Sequence, residues 1–496
     1  MSVPPAARTD TSSPNQGNPG KWIAATGFLV LLTELTALGL SLVSPALGAF
    51  AAKYNTTQIS WMIAIFLLVG AVLTPVLGKL GDRVGKKKIL VATAFAGVVG
   101  SVVCALAPNY GIMLLGRALM GASGTFVPLT FSLVRDVFPK KYRSLSIGLA
   151  TNGAGVVTIL GPFLAGFLID QIAPEAIFWF YAALSLLGAI GTILFVPETP
   201  IRNRSAFDVP GIIGLAVGLL ALMYGLTNIS TWHLLSGRTL TYVGGGAVIL
   251  LAWWMWERRA AAPFLDTRIM ASRPVATVVL SSSLIVSTTM LATSYLPTML
   301  QTSRSLGGDY GFGLDATGVA VYCIAGGITT VLAGVVVGIG SKRYGLRPFL
   351  LLSGVFAVAG TVTLALLRTQ PWMPIVGFAL VGAASMSMAA GAALIMQLAP
   401  AKSRGVSAGI QFAVQGVLGS AIIQAGGLIL AGHVKAVAPT GAPVYSSTGW
   451  ILAIGALGAL IALAGIAIAA LIPKQPKEAE AATETNELVA QPQPSF

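Results

Sequence analysis

Charge is scarce in this chain. Of its 496 residues only 9% are Asp, Glu, Lys or Arg, while 55% are hydrophobic, whereas about a quarter of a soluble domain is charged. Most of the chain therefore cannot face water. Cysteine is nearly absent: Cys104 and Cys323 both lie inside apolar runs, which argues against a disulfide framework or a thiolate metal centre and leaves them as small packing residues. His233 and His433 fall in expected loops, so neither serves as a proton relay within a membrane. No glycine-rich phosphate loop ending in Lys and Ser or Thr occurs, which argues against a directly ATP-driven pump. No stretch is long enough for a soluble catalytic domain, so no enzyme activity, cofactor or metal is expected.

What is abundant is apolar sequence in runs of about 20 residues, the length of a helix across a hydrocarbon core of about 30 Å. In lipid such runs must satisfy their own backbone hydrogen bonds, and they lack the alternation of a membrane barrel strand. Fourteen spans are expected, over 22–44, 59–78, 89–107, 109–131, 145–169, 176–196, 210–229, 239–256, 275–299, 315–340, 348–367, 372–397, 406–431 and 449–472. The first is read as a retained helix, since no small-residue cleavage signal follows it. Residues 1–21 and the Glu-, Pro- and Ala-rich stretch 473–496 have no apolar periodicity and are expected to be disordered.

The charges test this count. Of the 30 Lys and Arg residues, only Lys53, Arg238, Arg304, Arg368 and Lys435 fall on the side opposite the N-terminus, and Arg117 lies within a span. The remainder gather on the other side, as basic residues gather in cytoplasmic loops. A miscounted span would invert every later loop, so both termini are expected in the cytoplasm, in a multi-pass plasma or inner membrane protein. The net charge of +14 is then a topology signal with some attraction to anionic lipid. It is not a nucleic-acid footprint.

Between the second and third spans stands Gly78-Lys79-Leu80-Gly81-Asp82-Arg83-Val84-Gly85-Lys86-Lys87-Lys88. The glycines permit a tight turn, and Asp82 can cap a helix or pair with a basic neighbour. The loop resembles the signature of the major facilitator superfamily, and Gly338 to Pro348 forms a second copy that keeps glycines and basic residues but loses the acid. Two such loops in corresponding places point to duplicated halves. Arg117 to Gly124 is similar to the superfamily's intramembrane arginine motif. Gly161-Pro162-Phe163-Leu164-Ala165-Gly166 is similar to its antiporter motif, with departures at Ala165 and Val157. The extra pair 210–229 and 239–256, flanked by Asp208-Val209-Pro210-Gly211 and by Glu257-Arg258-Arg259, resembles the fourteen-span drug:proton antiporter family. That resemblance covers nearly all of residues 22–472.

It implies an all-α integral membrane protein of the major facilitator fold. A six-helix half spans 22–196, an inserted pair 197–259, and a second half 260–472. The implied activity is proton-coupled export of a small organic compound, by a monomer whose partners are substrate, protons and the lipid bilayer. A proton symporter importing an organic solute is the alternative, and a passive channel or a receptor is less well supported. The implied switch loop comprises Gly78, Asp82, Arg83, Gly85 and Lys86, and the antiporter-like motif Gly161, Pro162 and Gly166.

Of 16 acids, one lies in the middle of a span: Glu34, about 18 Å along its helix at 1.5 Å per residue. An intramembrane acid costs about 2.5–3.5 kcal/mol on insertion scales and normally marks function. Arg117 stands at similar depth, so the two are expected to meet and couple protons, with a static ion pair as the structural alternative. Thr36, Asn152, Gln411 and Gln415 are further polar groups at membrane depth, each a candidate for the substrate cavity or for helix–helix bonding. The family's usual Asp-x-Thr is replaced by Glu34-Leu35-Thr36, and the second half offers no acid within its spans.

Overall fold

The computed structural model describes residues 19–199, 208–228, 232, 235–260, 272–306, 310–366, 370–398, 404–438 and 443–472. Helices follow one another in alternating direction. α1 runs Pro19–Ser41 and continues, through a tight turn at Ser44–Ala46, to Lys53. Next come α2 (Trp61–Val84), α3 (Lys86–Ala105), α4 (Tyr110–Val137), α5 (Lys140–Gln171) and α6 (Ala176–Phe195). The inserted pair is α7 (Val209–Thr227) and α8 (Gly237–Arg259). The second half contains α9 (Arg273–Gln301), α10 (Ala316–Tyr344) and α11 (Arg347–Leu366). It closes with α12 (Met373–Ala383 and Met386–Leu398), α13 (Arg404–Ala431) and α14 (Ser447–Ala470).

Thirteen helices among the described residues are long and apolar enough to cross a membrane. The fifth expected span falls on α5, a 32-residue helix. The fourteen expected runs thus each meet a helix. The boundaries differ where the chain bends without stopping. α4 tightens into a 3₁₀ turn at Ala122–Thr125, and α1 passes Pro45 and extends to Lys53.

Several helix ends were written in the sequence. The Asn109 side chain accepts from Ile112 N at 3.0 Å, Asp208 from Gly211 N at 3.0 Å and Asp315 from Gly318 N at 2.6 Å. Each side chain supplies an acceptor to an amide that the first helical turn leaves without one. Asp208 and Asp315, acids at span ends, are thus caps. A short hairpin was not expected: β1 (Val434–Val437) pairs antiparallel with β2 (Pro443–Tyr445) between α13 and α14. It lies at the end opposite the basic loops, hereafter the far end.

The two halves meet along two seams, α2 against α13 and α5 against α10. The inserted α7 lies over the first seam. Leu215, Leu219 and Met223 pack on Trp61, Ala64, Leu68 and Val72 of α2 and on Val414, Val417 and Ala421 of α13. α8 leans chiefly on α7 and leaves Leu240, Val248, Leu251 and Met255 exposed. A bilayer is the natural solvent for that face.

Candidate functional site

Glu34 is buried on α1, and its Oε2 has no hydrogen-bond partner. The carboxyl group presses against Gly153 of α5, where an added Cβ would overlap it. Only the missing side chain of Gly153 lets the acid reach this helix junction. Two residues on, Thr36 turns to another neighbour: its Oγ1 donates to the Ser123 carbonyl of α4 at 2.7 Å. Thr36 is therefore engaged in joining helices. Asn152 sits on α5 beside Gly153, but its side chain lies outside the described groups.

The expected meeting of Glu34 and Arg117 does not occur. Arg117 is fully buried on α4, its Nε donating to the Met62 carbonyl of α2 at 2.8 Å and its guanidinium stacked 4.5 Å from the Phe66 ring centroid. Its Nη2 has no hydrogen-bond partner. Equal depth did not imply a shared face: position 117 faces α2 while Glu34 faces α5. Arg117 thus rivets α2 to α4 inside the first half, apart from the acid.

Across the molecule, Gln411 and Gln415 share a face of α13, and both are buried. The Gln411 Nε2 donates to Ser282 Oγ of α9 at 3.2 Å, whereas the Gln415 Nε2 has no partner. No hydrogen bond joins either glutamine to Glu34. Among the neutral candidates whose side chains are described, Gln415 is the one with a spare amide.

The antiporter-like stretch lies at a junction. Gly161 touches Ser41 of α1. Gly166, beyond the internal Pro162, packs on the backbone of Ala316 and Thr317 at the start of α10 in the other half. One turn later Asp170 caps that same helix, accepting from Ala316 N at 3.3 Å, Thr317 N at 2.9 Å and Thr317 Oγ1 at 2.7 Å. No local sequence pattern marks this tie, because the helix that Asp170 caps lies far along the chain. Other far-end ties are Ser44 Oγ to the Thr293 and Ser294 carbonyls at 2.9 and 3.1 Å, and Gln301 Nε2 to the Pro45 carbonyl at 3.0 Å. Toward the basic end, Gly78, Gly334 and Gly338 have open space around them.

The switch loop has a definite geometry. α2 stops at Gly85, whose φ of 127° is in glycine territory, and Gly85 N donates to the Gly81 carbonyl at 2.9 Å. Lys86 then turns inward and is buried. Its Nζ reaches Asp136 Oδ2 at 2.5 Å on α4 and Asp82 Oδ1 at 3.2 Å on α2. Glu198 covers the start of α3, accepting from Lys87 N at 3.1 Å and Lys88 N at 3.2 Å. Arg83 is exposed. In the second copy Gly345, with φ of 73°, closes α10 by the same bond to the Ser341 carbonyl at 2.9 Å. The symmetry goes further: Lys87 Nζ donates to the Ile193 carbonyl of α6 and Arg347 Nη2 to the Ala470 carbonyl of α14, both at 2.7 Å.

The family model of the Major Facilitator Superfamily matches residues 29–424. The chain belongs to that superfamily. Among curated relatives of this superfamily member, the tetracenomycin C resistance and export protein of Streptomyces glaucescens is 24% identical over 86% of this chain and 78% of its own. Multidrug resistance protein 3 of Bacillus subtilis is 24% identical over 69% of this chain and 67% of its own. An uncharacterised MFS-type transporter of Mycobacterium tuberculosis is 31% identical over 55% of this chain, which spans 40% of that relative's length. A peptide transporter POT in complex with sulfate shares the fold, with a TM-score of 0.66, 14% identity and coverage of 92% of this chain and 96% of the other. So does the human organic anion transporter MFSD10, at a TM-score of 0.58 and 15% identity, covering 92% of this chain and all of that one. In this major facilitator protein, the paired Gly85 and Gly345 turns are the structural trace of its two halves.

Proposed function

We propose that the protein is a proton-coupled antiporter that exports small, amphiphilic organic compounds. The observation that carries this is Glu34, an acid in mid-membrane with one oxygen unbonded and a helix junction pressed against it. An acid so placed is costly as an anion and cheap once protonated. It can alternate between holding a proton and holding a cationic or hydrogen-bond-donating substrate. The unbonded amide of Gln415 in the second half offers the substrate a further hydrogen bond, and Arg117 supports α2 and α4 from within the first. The names of the relatives, resistance and export proteins among them, support export of organic compounds.

Exchange proceeds by alternating access, the halves rocking around Glu34 as in other transporters built from repeats. With both termini cytoplasmic in a plasma or inner membrane, as the basic loops favour, the far end is the outside. The Ser44, Gln301 and Asp170 ties then hold the outer side shut. The protein acts as a monomer.

Counterflow in proteoliposomes tests this. With an amphiphilic cationic dye as substrate, an inside-acid gradient is expected to drive dye uptake by the wild type. Glu34→Gln, which keeps shape and loses the titrating group, is expected to fall to the rate without a gradient while still exchanging dye for dye. Equal gradient response in both proteins would remove Glu34 from coupling. A wild type that ignores the gradient would end the antiport reading.

A further inference from the structure

A cleft of about 380 Å³ opens on the side of the first half, between α2, α3 and α4. Val69, Leu77 and Leu80 form one wall, Ala92 and Ala96 the other, and Leu119 closes its deep end. Thr93 is the one polar residue in its lining. From Val69 to Leu80 the cleft runs about 16 Å along α2 at 1.5 Å per residue. That is close to the depth of one leaflet, half of a hydrocarbon core of about 30 Å. It opens from mid-membrane toward the basic end, and no residue of the second half lines it.

Its mouth is charged. Arg83 lies one turn beyond Leu80 on the same face of α2, and Lys88 one turn before Ala92 on the same face of α3, since residues three and four apart are helix neighbours. Both are exposed. Their neighbours are committed: Lys86 to Asp136 and Lys87 to the Ile193 carbonyl. No ion pair involves Arg83 or the Lys88 ammonium among the described residues. Each apolar wall of the cleft therefore ends in a spare cation at headgroup level.

We propose that this cleft is a binding site for an anionic phospholipid of the leaflet at the basic end. One acyl chain lies along Val69 to Leu80, and the headgroup phosphate lies between Arg83 and Lys88. A transported compound is the poorer occupant, because the lining has almost no polar group to orient one and lies apart from Glu34. The bound chain fills the space behind the Asp82–Lys86–Asp136 node and stiffens the first half in this arrangement. The proposal stands independently of what the protein transports.

Native mass spectrometry of the full chain tests it, with dioleoylphosphatidylglycerol compared against phosphatidylcholine of the same chains. The wild type is expected to retain the anionic lipid preferentially. The Arg83→Gln/Lys88→Gln double variant should lose about fivefold in retention per charge removed, and the Arg83→Lys/Lys88→Arg swap should restore it. Ala92→Trp, which fills the cleft, should lose both lipids. Equal retention of the two lipids by the wild type overturns the proposal, as does wild-type retention by Ala92→Trp. A phosphatidylglycerol with a photoactivatable acyl chain reads the site in the unmodified protein. Adducts are expected within 69–96 or 118–122, and adducts confined to other segments overturn the assignment. Displacement of the lipid by a transported dye, one for one, would make the cleft a substrate site and overturn it too.

Discussion

The two halves reach the same turn with opposite chemistry. After Gly85 comes Lys86, and after Gly345 comes Leu346, and both side chains are buried, at 6% and 5% exposure. In the first half that position is a cation held by Asp136 and Asp82. In the second it is a hydrocarbon packed in a cluster with Phe349, Val337 and Leu394. The contrast extends into the membrane. The first half buries Glu34 and Arg117, while the second buries Ser281, Ser282, Ser287, Thr288 and Gln411. One duplicated frame can thus be closed by charge or by packing.

The largest expected effect comes from breaking the charged turn. Lys86→Leu copies the second half but leaves Asp136 unpaired, and should cost about 3–5 kcal/mol. Lys86→Leu/Asp136→Leu should recover most of that, because an apolar pair replaces a buried ion pair at little net cost. Thermal unfolding followed by a thiol-reactive dye measures both, since Cys104 and Cys323 are buried until the fold opens. A double variant no better than the single one would mean that the turn requires charge.

A smaller effect is expected at the helix junction that has no counterpart acid. Gly153→Ala places a methyl group on the Glu34 carboxyl and should destabilise by about 1–3 kcal/mol through overpacking. Glu34→Ala should relieve it, giving a coupling term in a double-mutant cycle. Additive single effects would separate the two residues.

The smallest effect lies at the far end, where Lys53 Nζ meets Glu175 Oε1 at 2.6 Å. Burial opposes the charge on Glu175, but the bond from Lys53, a backbone hydrogen bond and the charge of Lys53 together outweigh it and hold the carboxyl below its ordinary range. A group whose folded titration is lowered stabilises the fold above its unfolded value and loses that contribution as pH falls through the folded one. Glu175→Gln should therefore cost up to about 1 kcal/mol at neutral pH for a half-exposed pair. The gap from wild type should close in acid. A constant gap across the titration would mean that the pair contributes nothing through charge.

Much of the fold was legible because lipid leaves the chain few choices. Each apolar run of sufficient length had to become a helix. The hairpin at Val434–Tyr445 escaped, since four-residue strands carry little periodicity. Site residues were legible as a census and illegible as a constellation. Glu34 stood out by its rarity alone. Whether it faced Arg117 depended on how α1 and α4 rotate about their axes, which no depth count reveals.

The sequence by itself determined the class, the number of runs, the side on which basic residues gather and the duplication of the glycine turn. These follow from composition and spacing, properties of the chain read along its length. Only the tertiary structure decided that Glu34 rests on Gly153, that Arg117 serves α2, that Asp170 caps a helix of the other half, and that Arg83 and Lys88 flank an apolar cleft. Those are meetings between residues far apart in the chain, and their geometry exists only once helices have packed.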